Sequence, residues 1–548
     1  MKSKKISYII SSVSMFAFLL TGCGKKEVEP SRVNRGDYTN DYFLVSTKGE
    51  GRKALPFSTV DYFDEEGNYK SYKQVNNVRV LVVPVDFTDF PASSLPNGEE
   101  GAREDIEKVH FGEASETSWN SLSSYYKSTS FGTANITGVV TDWYHTNMSV
   151  KEFAKYGGGS TNATQQLALD IQNYFTEGDG ASKIDLKDFD ANKDGYVDAT
   201  VMIYSCPDRV TVANQPVDND LYWAFATVRG GAFGRVTRPA VYNYFWASIN
   251  TFYEAGHYSD NGTWSAWTKD DIKNGTVKVD AHTLIHEFGH VLGLPDYYSY
   301  DANSGKSDYY PFGGIDMMDF NIGDHNAMSK AWYGWVEPYI VTDSTTITIN
   351  STTLTGDAIL IPAGGNYKNT LIDQFIMIEL LTPDGVAAFD GEQQLHGSGM
   401  GTYPYFYNEI GIRVSHVDAR MGLFVHNSQT NSYQFSNFTA SYTNVQNQYV
   451  GFANDNTKSR SSFPDYRFLE LLPSDGIPMK NKKGNATNDY LFKEGQTFGG
   501  SSKSAVFKAK DFKMNGIDGN KTVDLGFSFT IKQIDKVNKT ATISFKKL

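Results

Sequence analysis

The sequence predicts an α+β protein, a helix-and-sheet domain followed by a β-sandwich-like domain, and three observations predict it. Near the middle of the chain, Leu284, Ile285, Phe288, Val291 and Leu292 fall at helical spacing and mark one amphipathic helix. Upstream, R-V-L-V-V-P-V-D-F (residues 79–87) and A-T-V-M-I-Y (199–204) are near-continuous apolar runs of the kind buried strands show. From about residue 340 the texture changes to short strand-like runs punctuated by Gly, Asn, Asp and Ser turns, the pattern of a β-sandwich.

The amphipathic helix is the centre of the chain's chemistry. Residues 280–296 read D-A-H-T-L-I-H-E-F-G-H-V-L-G-L-P-D. His286 and His290 are four residues apart, so both imidazoles lie on one helix face and reach one metal ion. Glu287 follows the first of them and can poise its carboxylate over a water on that metal. Asp280 is placed to cap the helix and Gly293 to end it. Beyond the turn Asp296 returns a third ligand, completing H-E-x-x-H-x-x-G-x-x-D, a zinc peptidase signature. His282 extends the histidine row. A fourth protein ligand would close the position a catalytic zinc keeps open, so His282 reads as structural.

In chain order, residues 1–22 read as a lipoprotein signal peptide. Lys2, Lys4 and Lys5 precede an apolar run too short to span a membrane, and L-T-G-C follows, placing lipidation at Cys23. Residues 23–73 read as a polar tether, 74–339 as the metallopeptidase domain and 340–548 as a β-rich domain. The only other cysteine is Cys206, so a chain lipidated at Cys23 has no intrachain disulfide. Fifty basic against sixty-three acidic side chains give a net charge of −13, which argues against a nucleic-acid partner. Ser121 begins a short helix that closes on Gly132, residues 134–144 read as a strand, and Leu167, Ile171 and Phe175 line one face of a helix.

The acidic stretch D-A-N-K-D-G-Y-V-D (190–198) offers oxygen ligands at alternate positions and a glycine for a sharp bend, which suits calcium. Asp190, Asn192, Asp194 and Asp198 would supply side chains and Tyr196 its carbonyl. Its twelfth position is Val201 rather than a bidentate Glu, so this is not an EF-hand. Past the histidines, G-G-I-D-M-M-D-F-N (313–321) carries Met318, placed as the methionine of a tight turn beneath the ligands. Residues 325–335 then read as a closing helix. His416 and Asp418, in S-H-V-D, lack further ligands and read as a hydrogen-bonded strand edge.

These segments resemble the secreted bacterial metallopeptidases of the immune inhibitor A family. The resemblance rests on H-E-F-G-H-V-L-G-L-P-D-Y-Y, G-G-I-D-M-M-D, S-K-A-W-Y-G-W, S-Y-Y-K-S-T-S-F-G and D-F-D-A-N-K-D-G-Y-V-D, and covers roughly residues 79–338. It implies a metzincin-like zincin with zinc on His286, His290 and Asp296, Glu287 as acid/base, and calcium at the acidic loop. It also implies broad endopeptidase activity on extracellular proteins. The stretch before Arg79 is short for the longer propeptide that family members often carry. The expected protein is therefore a zinc endopeptidase on the extracellular face of a bacterial membrane, anchored by lipid and with room for a secreted fraction. Tyr297, Tyr298 and Tyr310 stand as oxyanion candidates. A second reading is a surface adhesin, or a glycan- or protein-binding lipoprotein with a non-catalytic protease-like domain; the intact Glu287 speaks against it.

Overall fold

A computed structural model describes the strands Asp61–Phe63 and Tyr69–Ser71 and most of residues 77–548. Outside it lie residues 1–60, 64–68, 72–76, 159–161, 213–214, 217–220, 260–261, 304–308, 366–370, 398–400, 439–447, 458–466, 500–504, 509–512 and 516–521, with positions 210, 222, 372 and 431. The signal peptide, Cys23 and nearly all of the tether fall outside the described residues.

A mixed six-stranded sheet organises the first half. Its order is Thr137–Val140, Arg79–Asp86, Ala199–Tyr204, Asn243–Ser248 and Phe225–Val228, with Tyr144–His145 also paired to Arg79–Asp86. All pairings are parallel except the last, where Phe225–Val228 runs antiparallel to Asn243–Ser248 and ends the sheet. Side chains alternate between its faces, as strand geometry demands. Val80, Val82, Val201, Ile203 and Phe245 join Leu284, Ile285 and Phe288 of the His282–Val291 helix in one core. Leu81, Val83, Met202, Tyr204 and Trp246 join Leu167, Ile171 and Phe175 of the Asn162–Thr176 helix in another. Both faces are buried, which is why these strands read as unbroken apolar runs.

The strand expected over residues 134–144 is broken in two. Pro84 has no N–H to donate to the Thr141 carbonyl opposite it, and Arg103 instead donates from its guanidinium to the carbonyls of Val140 and Thr141. The Leu122–Thr129 helix starts at a capping box formed by Ser121 and Ser124.

Beyond residue 338, Tyr339–Ile340, Ala358–Pro362, Gln374–Leu381, Gly411–Asp418 and Leu469–Leu471 form one five-stranded sheet, and Thr345–Asn350, Thr540–Lys547, Phe527–Asp535, Thr497–Gly499 and Ala505–Lys508 form another. The first has Ile359, Ile376, Ile378, Ile412 and Val414 in a cluster shared with Ile347, Phe529, Ile543 and Phe545 of the second. Its opposite face, with Leu360, Phe375, Met377, Val417 and Leu469, packs into the same core as the His282–Val291 helix. Residues on both sides of position 340 thus share one apolar interior. His416 and Asp418 sit on an interior strand, between Gln374–Leu381 and Leu469–Leu471, rather than at the sheet edge.

Candidate metal centre

The helix carrying the histidines spans His282–Val291, with Ala281 at the N-cap position. Asp280 is therefore one residue too early to be the cap, although its carboxylate still accepts the His282 backbone N–H at 3.0 Å. Gly293 has φ +102, so the chain reverses where an L side chain would be strained. At Gly289 an added Cβ would collide with Met318 Sδ, so the helix rests directly on that methionine. Met318 follows the buried Asp316, whose carboxylate accepts the Met318 N–H at 3.0 Å and the Asn326 amide at 3.1 Å.

The two imidazoles are held by main-chain carbonyls. His286 Nδ1 lies 2.7 Å from Met317 O and His290 Nδ1 2.7 Å from Leu294 O. A carbonyl only accepts, so each Nδ1 carries a proton and Nε2 is the nitrogen each ring can offer a metal. Both Nε2 atoms face Asp296 Oδ1, at 3.2 and 3.1 Å. That oxygen is buried and makes no well-formed hydrogen bond, while Oδ2 accepts from the Tyr300 hydroxyl at 2.9 Å. One ligand atom from each residue lies within 4.8 Å of the others. The three ligand atoms converge in a buried place, and two imidazoles with a carboxylate are a donor set suited to zinc, whose binding would displace any proton on Nε2. Among the described residues no other group of three His, Cys, Asp or Glu side chains could share an ion this way.

The electrostatics point the same way. Burial works against a charged His290 ring, but the Asp296 carboxylate outweighs it and lifts the His290 pKa to about 9. Burial alone would raise Asp296, yet the facing histidines hold its carboxyl far below the usual range. The half-buried Glu287 is pushed upward by burial, with His290, His286 and the Ala226 backbone pulling the other way. A carboxyl raised by its surroundings beside metal ligands is one suited to taking and returning a proton.

His282 stands apart from this group. Its Nδ1 is 2.8 Å from Asp280, its Nε2 is 3.3 Å from Asp390, and its ring stacks on Trp119 at 3.9 Å. Of the tyrosines considered from sequence, Tyr298 stacks 6.4 Å from His286, whereas the Tyr297 hydroxyl is turned to Ser329 and the Tyr310 ring packs on Phe320. Tyr300, which orients Asp296, was not among them; its only sequence signal is its place four residues after that ligand. Asp418 is engaged by Arg420 and Gln374, and burial lowers the neighbouring His416 to about 4. Cys206 is buried, as its place after an apolar strand suggested.

In the acidic loop the side chains serve the backbone. Asp190 accepts the N–H groups of Asp194 and Gly195, Asn192 that of Asp194, Asp194 that of Tyr196, and Asp198 that of Ala191. Asn192 also donates to Asp194 at 2.7 Å. These bonds account for the loop's composition as a self-capped turn, and the geometry lends no support to calcium.

Residues 67–211 match the model of the immune inhibitor A peptidase M6 catalytic domain. This match covers about a quarter of the 548-residue chain and supports a likeness to the immune inhibitor A peptidases over that segment. None of the curated proteins compared matches the chain. The matched segment holds the strands Arg79–Asp86 and Ala199–Tyr204 and the acidic loop, and ends before the His282–Val291 helix. The matched segment supports a metallopeptidase; the candidate ligand set comes from the chain's own residues.

Proposed function

We propose that this protein is a zinc-dependent endopeptidase of the immune inhibitor A type, with His286, His290 and Asp296 holding the metal and Glu287 acting as acid and base. The observation that carries the reading is the convergence of two Nε2 atoms and an unbonded carboxylate oxygen beside a half-buried glutamate. Zinc in that place supplies Lewis acidity, polarising the scissile carbonyl and making water acidic enough to deprotonate near neutral pH. Glu287 takes the proton of the attacking water and returns it to the leaving amine, a cycle for which a raised pKa is suited. Phe225–Val228 is an antiparallel terminal strand whose Ala226 N–H meets Glu287, so an extended peptide added along it brings its carbonyl to that carboxylate. Tyr298, whose ring lies beside His286 and whose hydroxyl is engaged with Asp296, is the phenol this reading assigns to the developing oxyanion.

The substrates on this reading are extracellular proteins and peptides, and the protein works from the outer face of a bacterial membrane with lipid on Cys23. The signal and L-T-G-C sequence support the anchor. Residues 74–339 are read as the peptidase domain and 340–548 as a β-sandwich-like one, supported by the cluster two sheets share. Metal content and casein turnover test the proposal. Glu287→Ala should keep one zinc per chain and lose hydrolysis, and His290→Ala should lose the zinc. Full turnover by a folded Glu287→Ala variant would remove the base, and stoichiometric zinc in His290→Ala would remove the ligand set.

A further inference from the structure

The segment that delivers Asp296 is tied at both ends, and one tie comes from far along the chain. Tyr297 N–H donates to Met318 O at 2.7 Å, on the side of the methionine turn. The Tyr297 carbonyl accepts from Asn456 Nδ2 at 2.8 Å, a contact spanning 159 residues. The same amide donates to Leu469 O at 2.7 Å, and its Oδ1 accepts Leu469 N–H at 2.9 Å. Next to it, Thr457 O accepts the Tyr300 N–H at 3.0 Å, and the Tyr300 hydroxyl donates to Asp296 Oδ2 at 2.9 Å. Asn456 is 1 % exposed, so these bonds are made without competing water.

We infer that Asn456 is a positioning residue for the metal centre: with Thr457 it straps residues 297–300 to the C-terminal sheet, and through Tyr300 it sets the direction of the Asp296 carboxylate. The inference rests on the metal site proposed above. A carboxamide is the side chain this place requires, since it presents two donors to two carbonyls and one acceptor to an N–H. The chemistry of the strap explains Asp296 itself. With Oδ2 fixed by Tyr300, Oδ1 is the oxygen left to face the two imidazoles. Partners of this kind orient ligands that would otherwise pay for their own ordering when metal binds.

The test is the zinc dissociation constant, measured by chelator competition on the full chain, alongside the melting temperature of the zinc-free protein. Asn456→Asp keeps the shape but turns a carboxylate toward two carbonyl oxygens; Tyr300→Phe removes only the last link to Asp296. Each should weaken zinc binding by about 10–100-fold. Because the two act along one route, the double variant should be no weaker than the weaker single. A zinc affinity within about twofold of wild type in folded Asn456→Asp overturns the inference, as does a lowered melting temperature with unchanged zinc affinity, which a purely structural Asn would give. Losses that multiply in the double variant also overturn it. Should Asn456→Asp fail to fold, Asn456→Ser, which buries no charge, is measured in the same way. A wild-type chain that holds no zinc, or a His290→Ala chain that holds as much as wild type, would instead reject the metal site itself.

Discussion

His282 offers a test of how the helix is held, separate from what the helix does. Its ring is buried between Asp280 and Asp390 and stacked on Trp119. Burial would lower the pKa, but two carboxylates at 2.8 and 3.3 Å raise it to about 10. The ring is thus a cation at neutral pH, and it balances two buried anions. The sign of the pH effect follows. The folded value lies above the unfolded 6.5, so the stabilisation is fully present below about pH 6.5 and is lost as pH rises through about 10. The slope within that window approaches about 1.4 kcal/mol per pH unit for one proton. His282→Phe keeps the stack and removes the cation, leaving uncompensated buried carboxylates at a cost of about 3–5 kcal/mol near neutral pH. Urea unfolding of the zinc-free protein at pH 6, 8 and 10 measures both quantities. The variant should be less stable at pH 6 and should decline less steeply toward pH 10 than the wild type, keeping only the part that His290 contributes. Parallel stability curves for the two proteins would refute a charged His282. Zinc content in the folded variant should stay at the wild-type level, since no Nε2 of this ring faces the other ligands.

Other changes read out other parts of the structure. Gly289→Ala drives a methyl into Met318 Sδ and should destabilise the protein by about 1–3 kcal/mol; an unchanged melting temperature would place the methionine elsewhere. Asp190→Ala leaves the Gly195 N–H without its acceptor and the Asp194 N–H with Asn192 alone, and should cost about 1–3 kcal/mol. Since the turn closes on itself, adding or chelating calcium should leave the wild-type melting curve in place; a calcium-dependent rise would reinstate a cation there. Cys23→Ser should move the protein out of the membrane fraction, and unchanged lipid labelling would dismiss L-T-G-C as the lipidation signal.

How much of this was legible depended on distance along the chain. The spacing of His286, Glu287, His290 and Asp296 is local, so helix geometry and one glycine turn bring those side chains together from sequence alone. The acceptor of His290 is equally local, at Leu294, but that of His286 is a carbonyl 31 residues away. No residue type marks a carbonyl, and Asn456 lies farther still. Asp280 could be paired with His282 by eye, whereas Asp390, 108 residues on, could not. The acidic loop shows a different limit. Carboxylates at alternate positions suit a cation and a run of turn N–H groups alike, and composition does not separate the two. At His416 and Asp418 the partner was nearby in sequence, at Arg420, but the interior place of their strand depends on pairing with residues 374–381 and 469–471.

The remoteness of those partners has a physical meaning for the molecule. Arg413 and Glu379, on neighbouring strands of the C-terminal sheet, form a bidentate buried pair at 2.8 Å, and Glu379 also accepts the Ala327 N–H at the start of the Ala327–Trp332 helix. The guanidinium lies over Phe312, just before the methionine turn. Such a pair gains little net energy from its own attraction once desolvation is counted, and is costly only to break. Its effect is to make one arrangement of the turn far better than its neighbours, because any shift of Phe312 or Ala327 exposes a buried charge to apolar surroundings. Asn456 acts on the ligand segment in the same sense, with an amide that matches one set of backbone groups. The β-rich half therefore reaches the candidate metal centre from two directions, beneath the helix through the methionine turn and beside it through residues 456–457, and the geometry of three converging ligand atoms is a property of the whole chain rather than of its motif.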